Sequence, residues 1–265
     1  KARELYELAL ELGIRHFDTA QNYGESLYWI AEFSKNDDVE VRSKISTTEK
    51  SNAQILSDLE SQIKIFDSHY FRCLNLLQFH NWTGSEKEKV LLSGVRKNLG
   101  DKWSGELGAT TYGSQAAVDA INEFNYLQVE WNVLNQGSYT AIDNLLRNEN
   151  KNQIDIKKIS IRSIFLQGLL TLDVNEIPLK LKNLTSDIAK FHKMIESTGI
   201  TRMEFIVRSF FSLEFADSLV IGVDDTSQLL EVSNYFKKGP LNEEIQAQIL
   251  KFESTEKNKV DPRNW

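Results

Sequence analysis

The chain has 265 residues, of which 41% are hydrophobic and 26% are charged, so it can bury a large core and a disordered chain is not expected. Its 38 acidic and 31 basic residues give a net charge of −7. This balance argues against a nucleic-acid partner, which would require a dense Lys/Arg surface. The apolar stretches are far shorter than the ~20 residues needed to cross a bilayer, so no membrane role is expected.

Helical and strand patterns alternate from the first residues to the last. Leu5, Leu8, Ala9 and Leu12 have helical spacing, and Gly13 is predicted to end that helix. Seven strands are predicted, at residues 14–18, 39–44, 73–80, 105–110, 126–130, 159–163 and 218–222. Helices between them carry apolar stripes such as Leu56, Leu59, Ile63 and Phe66, or Met203, Ile206, Val207 and Phe210.

This alternation predicts a parallel sheet. Seven strand-helix units come close to the eight of a (β/α)8 TIM barrel. Neither a G-x-G-x-x-G turn nor a phosphate-binding loop is present to favour a doubly wound fold. We therefore predict an α/β protein with a (β/α)8 barrel whose first strand is missing from the sequence and would precede Lys1.

The chain is expected to form one domain over residues 1–265, because no Gly/Ser-rich linker divides it and it contains only three prolines. Its single cysteine, Cys73, lies in an apolar run and is predicted to be a small buried hydrophobic residue rather than a nucleophile. One cysteine cannot form an internal disulfide, which fits a reducing, cytoplasmic compartment. Lys1 falls inside a helical pattern, so no targeting segment is visible.

Four polar residues stand at or just after predicted strand ends, where a barrel gathers its chemistry. Asp18, Lys44 and His80 end the first three strands, and Tyr23 follows the first. Singly they have ordinary interpretations, as a helix cap, a surface cation, a core histidine and a loop aromatic. Together they offer a proton donor, because a tyrosine with an unperturbed pKa of about 10 needs a nearby cation to act near neutral pH. Lys44 would supply that cation, Asp18 would hold it, and His80 would orient a carbonyl or share the phenolic proton.

These residues resemble a known family. Residues 17–25, FDTAQNYGE, resemble the aldo-keto reductase signature, in which a strand-ending Asp precedes the catalytic Tyr by five positions. Residues 41–45 and 77–82 resemble the lysine and histidine strands of that family. The resemblance implies NAD(P)H-dependent reduction of an aldehyde or ketone, with hydride from the nicotinamide and a proton from Tyr23.

The resemblance also implies a cofactor site in several segments. Thr110 and Thr111 correspond to the Ser and Asn that hold the nicotinamide carboxamide, and Gln128 to an amide-binding Gln. Residues 163–169 resemble the pyrophosphate segment, with Ser163, Phe165 and Gln167 as contacts, although Ile164 replaces the usual proline. Residues 222–231 resemble the adenosine-ribose turn, with Gly222, Asp224, Gln228 and Glu231 as contacts, although Val232 replaces the usual Asn.

The choice of cofactor depends on the adenosine-ribose turn. Members of the family that prefer NADPH usually present Arg or Lys there to the 2′-phosphate, whereas this chain has Asp224 and Asp225. Carboxylates would repel a phosphate but can accept hydrogen bonds from ribose hydroxyls, which favours NADH over NADPH. The alternative is that both aspartates only cap the following helix.

Other functions stay open at this point. One is a non-catalytic nucleotide-binding barrel acting as a sensor or regulatory subunit, as in the potassium-channel β-subunit branch. Another is metal chemistry at His16 and Asp18, but no third ligand has suitable spacing, and His16 is predicted to be buried packing.

The substrate and the oligomeric state are also open. Aromatics near Trp82, from Trp131 to Tyr139 and at Trp265 either stack on sugars or pack. Residues 260–265 resemble the tails of bacterial relatives found among polysaccharide-synthesis genes, which suggests a sugar or nucleotide-sugar carbonyl.

Overall fold

The computed structural model describes residues 1–48, 50–67, 74–100, 103–148, 158–256 and 259–265. The strands are β1 (His16–Asp18), β2 (Glu40–Ser46), β3 (Leu74–Trp82), β4 (Glu106–Thr111), β5 (Tyr126–Glu130), β6 (Lys158–Arg162) and β7 (Ser218–Leu219). The α-helices are α1 (Ala2–Glu11), α2 (Ser26–Phe33), α3 (Asn52–Asp67), α4 (Glu86–Leu99), α5 (Ser114–Glu123), α6 (Gly137–Asn148), α7 (Thr185–Glu196), α8 (Arg202–Ser209), α9 (Thr226–Lys237) and α10 (Glu243–Leu250). Cys73 lies outside the described residues, so the prediction for it stays untested.

The described strands form one sheet in chain order, from β1 to β7. The pairs β1–β2, β2–β3, β3–β4 and β6–β7 are parallel, as predicted. All seven predicted strands are present; β5 has the predicted ends and the other six have shifted ends. Strand β3 continues past His80 to Trp82, whereas β7 is only two residues long. β1 and β7 end the sheet order, so each has one neighbour among the described strands.

The chain divides into two compact units, Lys1–Gln128 with Asn150–Lys158 and Val129–Glu149 with Ile159–Trp265. In the first unit, side chains connect strands that are distant in the sheet order. Gln128 on β5 donates to Asp18 on β1 over 3.1 Å, and Arg42 on β2 donates to the Tyr126 hydroxyl on β5 over 2.7 Å. In a flat sheet β1 and β5 would lie roughly 19 Å apart, four strand spacings. The sheet of this unit therefore curls, as a barrel requires.

Local sequence explains how the first unit begins. Gly13 has a φ of +83°, in the left-handed region that favours glycine. Its N–H donates to the carbonyl of Leu10 and the N–H of Ile14 donates to that of Ala9, which ends α1 where the sequence predicts. The chain then turns directly into β1.

Apolar stripes of the helices pack inward largely as predicted. Leu59 and Phe66 of α3 and Ile206 and Val207 of α8 are buried. On α3 the first fully buried residue is Ile55 rather than the predicted Leu56, which is one position further round the helix and only partly buried. No helix in the described part of the chain has both the length and the apolar composition needed to span a bilayer.

In the second unit a buried histidine makes stability depend on pH. His192 of α7 is 4% exposed, and its Nε2 lies 3.0 Å from the carbonyl oxygen of Leu170. Burial lowers the pKa of this imidazole below its ordinary value. As the pH falls, His192 of the unfolded chain becomes protonated at about pH 6.5, whereas His192 of the folded chain becomes protonated only at a lower pH. We expect the free energy of unfolding to fall as the pH drops from about 6.5 through the lower folded pKa.

His192→Gln tests this prediction, because an amide can still donate to Leu170 and does not titrate. Urea unfolding of both proteins is compared at about pH 7.5 and about pH 5.5, on either side of the ordinary histidine pKa. Between these two pH values, the free energy of unfolding should fall less in His192→Gln than in the wild type. Equal losses would contradict the assignment to His192.

Candidate active site

A buried ion pair lies at the carboxyl ends of β1 and β2. Lys44 Nζ donates to both carboxylate oxygens of Asp18 and, over 3.0 Å, to the carbonyl oxygen of Thr19. Gln128 Nε2 donates to the same carboxylate over 3.1 and 3.2 Å. The side chain of Lys44 is 3% exposed and that of Asp18 is 14% exposed. A charge pair this buried is stable only when its hydrogen bonds are satisfied, and Gln128 and Thr19 contribute to that.

Tyr23 and His80 lie beside this pair. The Tyr23 ring centroid is 5.2 Å from Lys44 Nζ and 6.5 Å from the His80 ring centroid, with the two rings edge to face. Tyr23 is 49% exposed, in contrast with the buried lysine. The structure thus brings together the four predicted catalytic side chains, with a half-exposed tyrosine next to a buried cation and an imidazole.

The loop that carries Tyr23 is braced by residues that the sequence analysis missed. The N–H of Gln21 donates to the carbonyl oxygen of Lys44, and the Gln21 side chain accepts from Lys50 Nζ over 3.2 Å. Lys50 also donates to Asp58 of α3 over 2.6 Å. No sequence signal identifies this brace, because Lys50 resembles any surface lysine until the loop and α3 are placed.

The predicted nicotinamide contacts in the first unit are buried polar groups. Thr110, Thr111 and Gln128 are each at most 1% exposed. The hydroxyl of Thr110 accepts a hydrogen bond from the N–H of Asn81 over 2.9 Å, and Gln128 is joined to Asp18 as described. Hydroxyl and amide groups of this kind match the donors and acceptors of a carboxamide.

The predicted pyrophosphate segment follows β6 in the second unit and has unusual backbone geometry. Ser163, Leu166 and Gln167 have φ values of +67°, +48° and +54°, although none is a glycine. Such conformations cost of order 1–3 kcal/mol each and persist where the surrounding structure enforces them. The side-chain amide of Asn132 donates to the carbonyl oxygen of Ser163 over 3.4 Å. Phe165 is partly buried and Gln167 is exposed.

The predicted adenosine contacts surround the start of α9. Asp225 caps this helix by accepting from the N–H of Gln228 over 2.9 Å. Gln228 in turn accepts from the N–H of Asp224 over 2.9 Å, and Glu231 accepts from the Tyr235 hydroxyl. Gly222 and Asp224 are exposed. The capping explanation therefore holds for Asp225, while the Asp224 carboxylate lies at the surface before the helix.

One expectation from the sequence is wrong. His16 is not buried packing, because its side chain is 48% exposed and its Nε2 lies 3.1 Å from a carboxylate oxygen of Glu40. Of the two interpretations left open for the aromatics, packing holds for Trp82, Trp131 and Tyr139, which are at most 3% exposed. No group of three or more His, Cys, Asp or Glu side chains is placed to hold a metal ion within the described ranges.

Comparison with known proteins identifies the family. The aldo/keto reductase family model matches residues 1–253. The chain belongs to the aldo/keto reductase family. No curated protein matched the chain in a sequence search. Family membership supports an oxidoreductase that acts on carbonyl compounds.

Solved structures show the same fold at low sequence identity. A holo aldo-keto reductase from Bacillus halodurans is 16% identical, with a TM-score of 0.73, over 95% of this chain and 86% of that one. A putative 2,5-diketo-D-gluconic acid reductase B is 17% identical, with a TM-score of 0.67, over 99% and 86%. A glycerol dehydrogenase from Gluconobacter oxydans is 17% identical, with a TM-score of 0.66, over 94% and 84%. The predicted (β/α)8 fold is confirmed.

Proposed function

We propose that this protein reduces an aldehyde or ketone to an alcohol, using a nicotinamide cofactor and a proton from Tyr23. The observation that carries the proposal is the half-exposed Tyr23 beside the buried Lys44–Asp18 pair and the His80 ring. A carbonyl oxygen that gains negative charge needs a proton donor, and Tyr23 is the exposed donor of this cluster.

Each residue of the cluster has a defined part in this proposal. The charge of Lys44 favours the tyrosinate that remains once Tyr23 has given up its proton. Asp18 holds Lys44 in place, and Gln128 holds Asp18. His80 orients the carbonyl beside Tyr23. The burial of Lys44 strengthens its effect on the phenol, because water screens it poorly there.

The nicotinamide cofactor supplies hydride when it is bound. We propose that Thr110, Thr111 and Gln128 hold its carboxamide, because hydroxyl and amide groups suit the donors and acceptors of such a partner. Ser163, Phe165 and Gln167 are proposed to contact the pyrophosphate, which the enforced left-handed backbone of that segment supports. Gly222, Asp224, Gln228 and Glu231 are proposed for the adenosine ribose.

The substrate class proposed is a polyhydroxylated carbonyl compound such as a sugar or nucleotide sugar. The names of two similar structures, a glycerol dehydrogenase and a putative diketogluconic acid reductase, support small polyhydroxylated compounds. We further propose that the chain acts as one domain. We also propose that it works in the cytoplasm, because a single cysteine fits a reducing compartment.

The proposed function is tested by mixing the protein with NADH or NADPH and a panel of sugar, nucleotide-sugar and simple aldehydes and ketones. Loss of nicotinamide absorbance that depends on a carbonyl compound is the expected result. Tight cofactor binding with no turnover of any carbonyl compound would overturn the proposal and is what a non-catalytic sensor would give.

Cofactor preference gives a sharper prediction at the start of α9. We expect NADH to bind more tightly than NADPH, because the exposed carboxylate of Asp224 repels a 2′-phosphate. Asp224→Arg should shift the ratio of the two dissociation constants toward NADPH by about tenfold, which is 1.4 kcal/mol. Fluorescence titration with both cofactors measures this ratio.

Asp225→Asn is the matched control, since asparagine also caps helices and the substitution removes a carboxylate one position away. It should leave stability and the cofactor ratio nearly unchanged. An Asp224→Arg protein with the wild-type ratio would show that Asp224 does not face the ribose.

A further inference from the structure

Strand β3 contains an irregularity at the residue that the proposed function assigns to the carbonyl. In the pairing with β4, Phe79 lies opposite Ala109 and Trp82 lies opposite Thr111. Two residues, His80 and Asn81, therefore stand opposite the single residue Thr110. This is a β-bulge, a feature that bends a strand and re-aims its side chains.

The aromatic core shows how the bulge changes the direction of side chains. In a regular strand, residues three positions apart point to opposite faces. Phe79 and Trp82 nevertheless point into one cluster, with ring centroids 5.6 Å apart and with Phe124 at 5.7 and 5.0 Å from them. The extra residue lets both rings point to the same side, and His80 lies between the buried residues Phe79 and Trp82.

A side chain from the neighbouring strand hydrogen-bonds to the bulge. Asn81 adopts a left-handed φ of +62°, which is uncommon outside glycine although asparagine tolerates it better than most residues. Its N–H donates to the Thr110 hydroxyl over 2.9 Å, so a side chain takes the place of a backbone acceptor in the ladder. Thr110 is 1% exposed, which protects this hydrogen bond from water.

We infer that Thr110 is a positioning residue for His80, acting through the Asn81 hydrogen bond and the bulge. This inference rests on the proposed function, in which His80 orients the carbonyl beside Tyr23. It assigns the Thr110 hydroxyl a second task in addition to its proposed contact with the cofactor. A hydroxyl can do both, since it accepts from Asn81 and still has its own proton to donate.

The test compares Thr110→Val, which keeps the shape but removes the hydroxyl, with Thr110→Ser, which restores it. Thr110→Val should lower kcat at saturating cofactor by about 10- to 100-fold, since a displacement of about 1 Å at a positioning group costs up to that much. Thr110→Ser should recover most of the loss. Ser209→Ala, which removes another fully buried hydroxyl, is the control for stability and should keep the wild-type kcat.

A second readout does not depend on turnover. The chain has only four histidines, so the His80 ring signal of labelled protein can be assigned by its loss in His80→Gln. Thr110→Val should move this signal, and Thr110→Ser should not. In the wild type, the Asn81 amide should exchange slowly with solvent, a measurement that holds even if Thr110→Val fails to fold.

The inference is overturned if Thr110→Val weakens cofactor binding alone, with unchanged kcat at saturation and an unchanged His80 signal. Equal losses of kcat in the Val and Ser proteins, or fast exchange at Asn81, would also overturn it. If the wild type reduces no carbonyl compound, the proposed function fails, and the His80 signal and Asn81 exchange still decide whether Thr110 holds the bulge.

Discussion

Tyr23→Phe should lower kcat/KM for a carbonyl substrate by about 100- to 10,000-fold, the usual contribution of a general acid. The substitution removes only the hydroxyl, so the ring should stay beside Lys44 and His80. Cofactor affinity and stability should therefore change little, because a half-exposed ring loses one polar atom and no packing. Steady-state kinetics, cofactor titration and urea unfolding together separate chemistry from binding and folding.

Tyr28→Phe provides a matched control. Tyr28 lies five residues further along, on α2, and is 63% exposed, so its hydroxyl should matter neither for stability nor for turnover. Full activity in Tyr23→Phe with a genuine substrate would show that another group protonates the carbonyl oxygen. A similar loss in both proteins would point to a general effect on α2 and its preceding loop.

The sequence predicts the fold well because each local signal agrees with the next. Gly13 supplies the left-handed residue that ends α1, and short apolar runs alternating with helical patterns indicate the strands. Strand ends are predicted less well, because pairing decides them. The sequence of β7 gives no sign that its ladder with β6 covers only two residues, Ser218 and Leu219.

The proposed catalytic cluster is predictable for a different reason. Asp18 with a Tyr five residues later, and Lys44 and His80 near the ends of their strands, follow from the signature and from where barrels gather polar groups. Lys44 and His80 are predicted to end β2 and β3, which instead continue to Ser46 and Trp82. The bulge at His80 and the brace at Lys50 are not predictable, because both arise from contacts between distant segments. The burial of Trp82 is not predictable either, because it depends on the bulge, which turns this side chain to the same face as Phe79.

Lys44→Met should be the most damaging of the single substitutions. It leaves the Asp18 carboxylate in a mostly buried place without its cation, which costs about 3–5 kcal/mol of stability. It also removes the charge that favours the ionised form of Tyr23, so turnover should fall along with stability. Lys89→Met is the control, because Lys89 lies in an exposed ion pair with Glu86 whose loss should change stability by less than about 0.5 kcal/mol.

The double substitution Lys44→Met with Asp18→Asn separates the two effects. With both charges gone, Gln128 faces a neutral amide, and much of the lost stability should return, since a pair removed together leaves no uncompensated buried charge. Activity should not return, because Tyr23 still lacks its cation. Urea unfolding and kcat/KM are measured for the wild type, the two single variants Lys44→Met and Asp18→Asn, and the double variant, which together form a double-mutant cycle. A double variant no more stable than Lys44→Met would show that the lysine stabilises the unit by packing alone, and recovered turnover would remove Lys44 from the proposed chemistry.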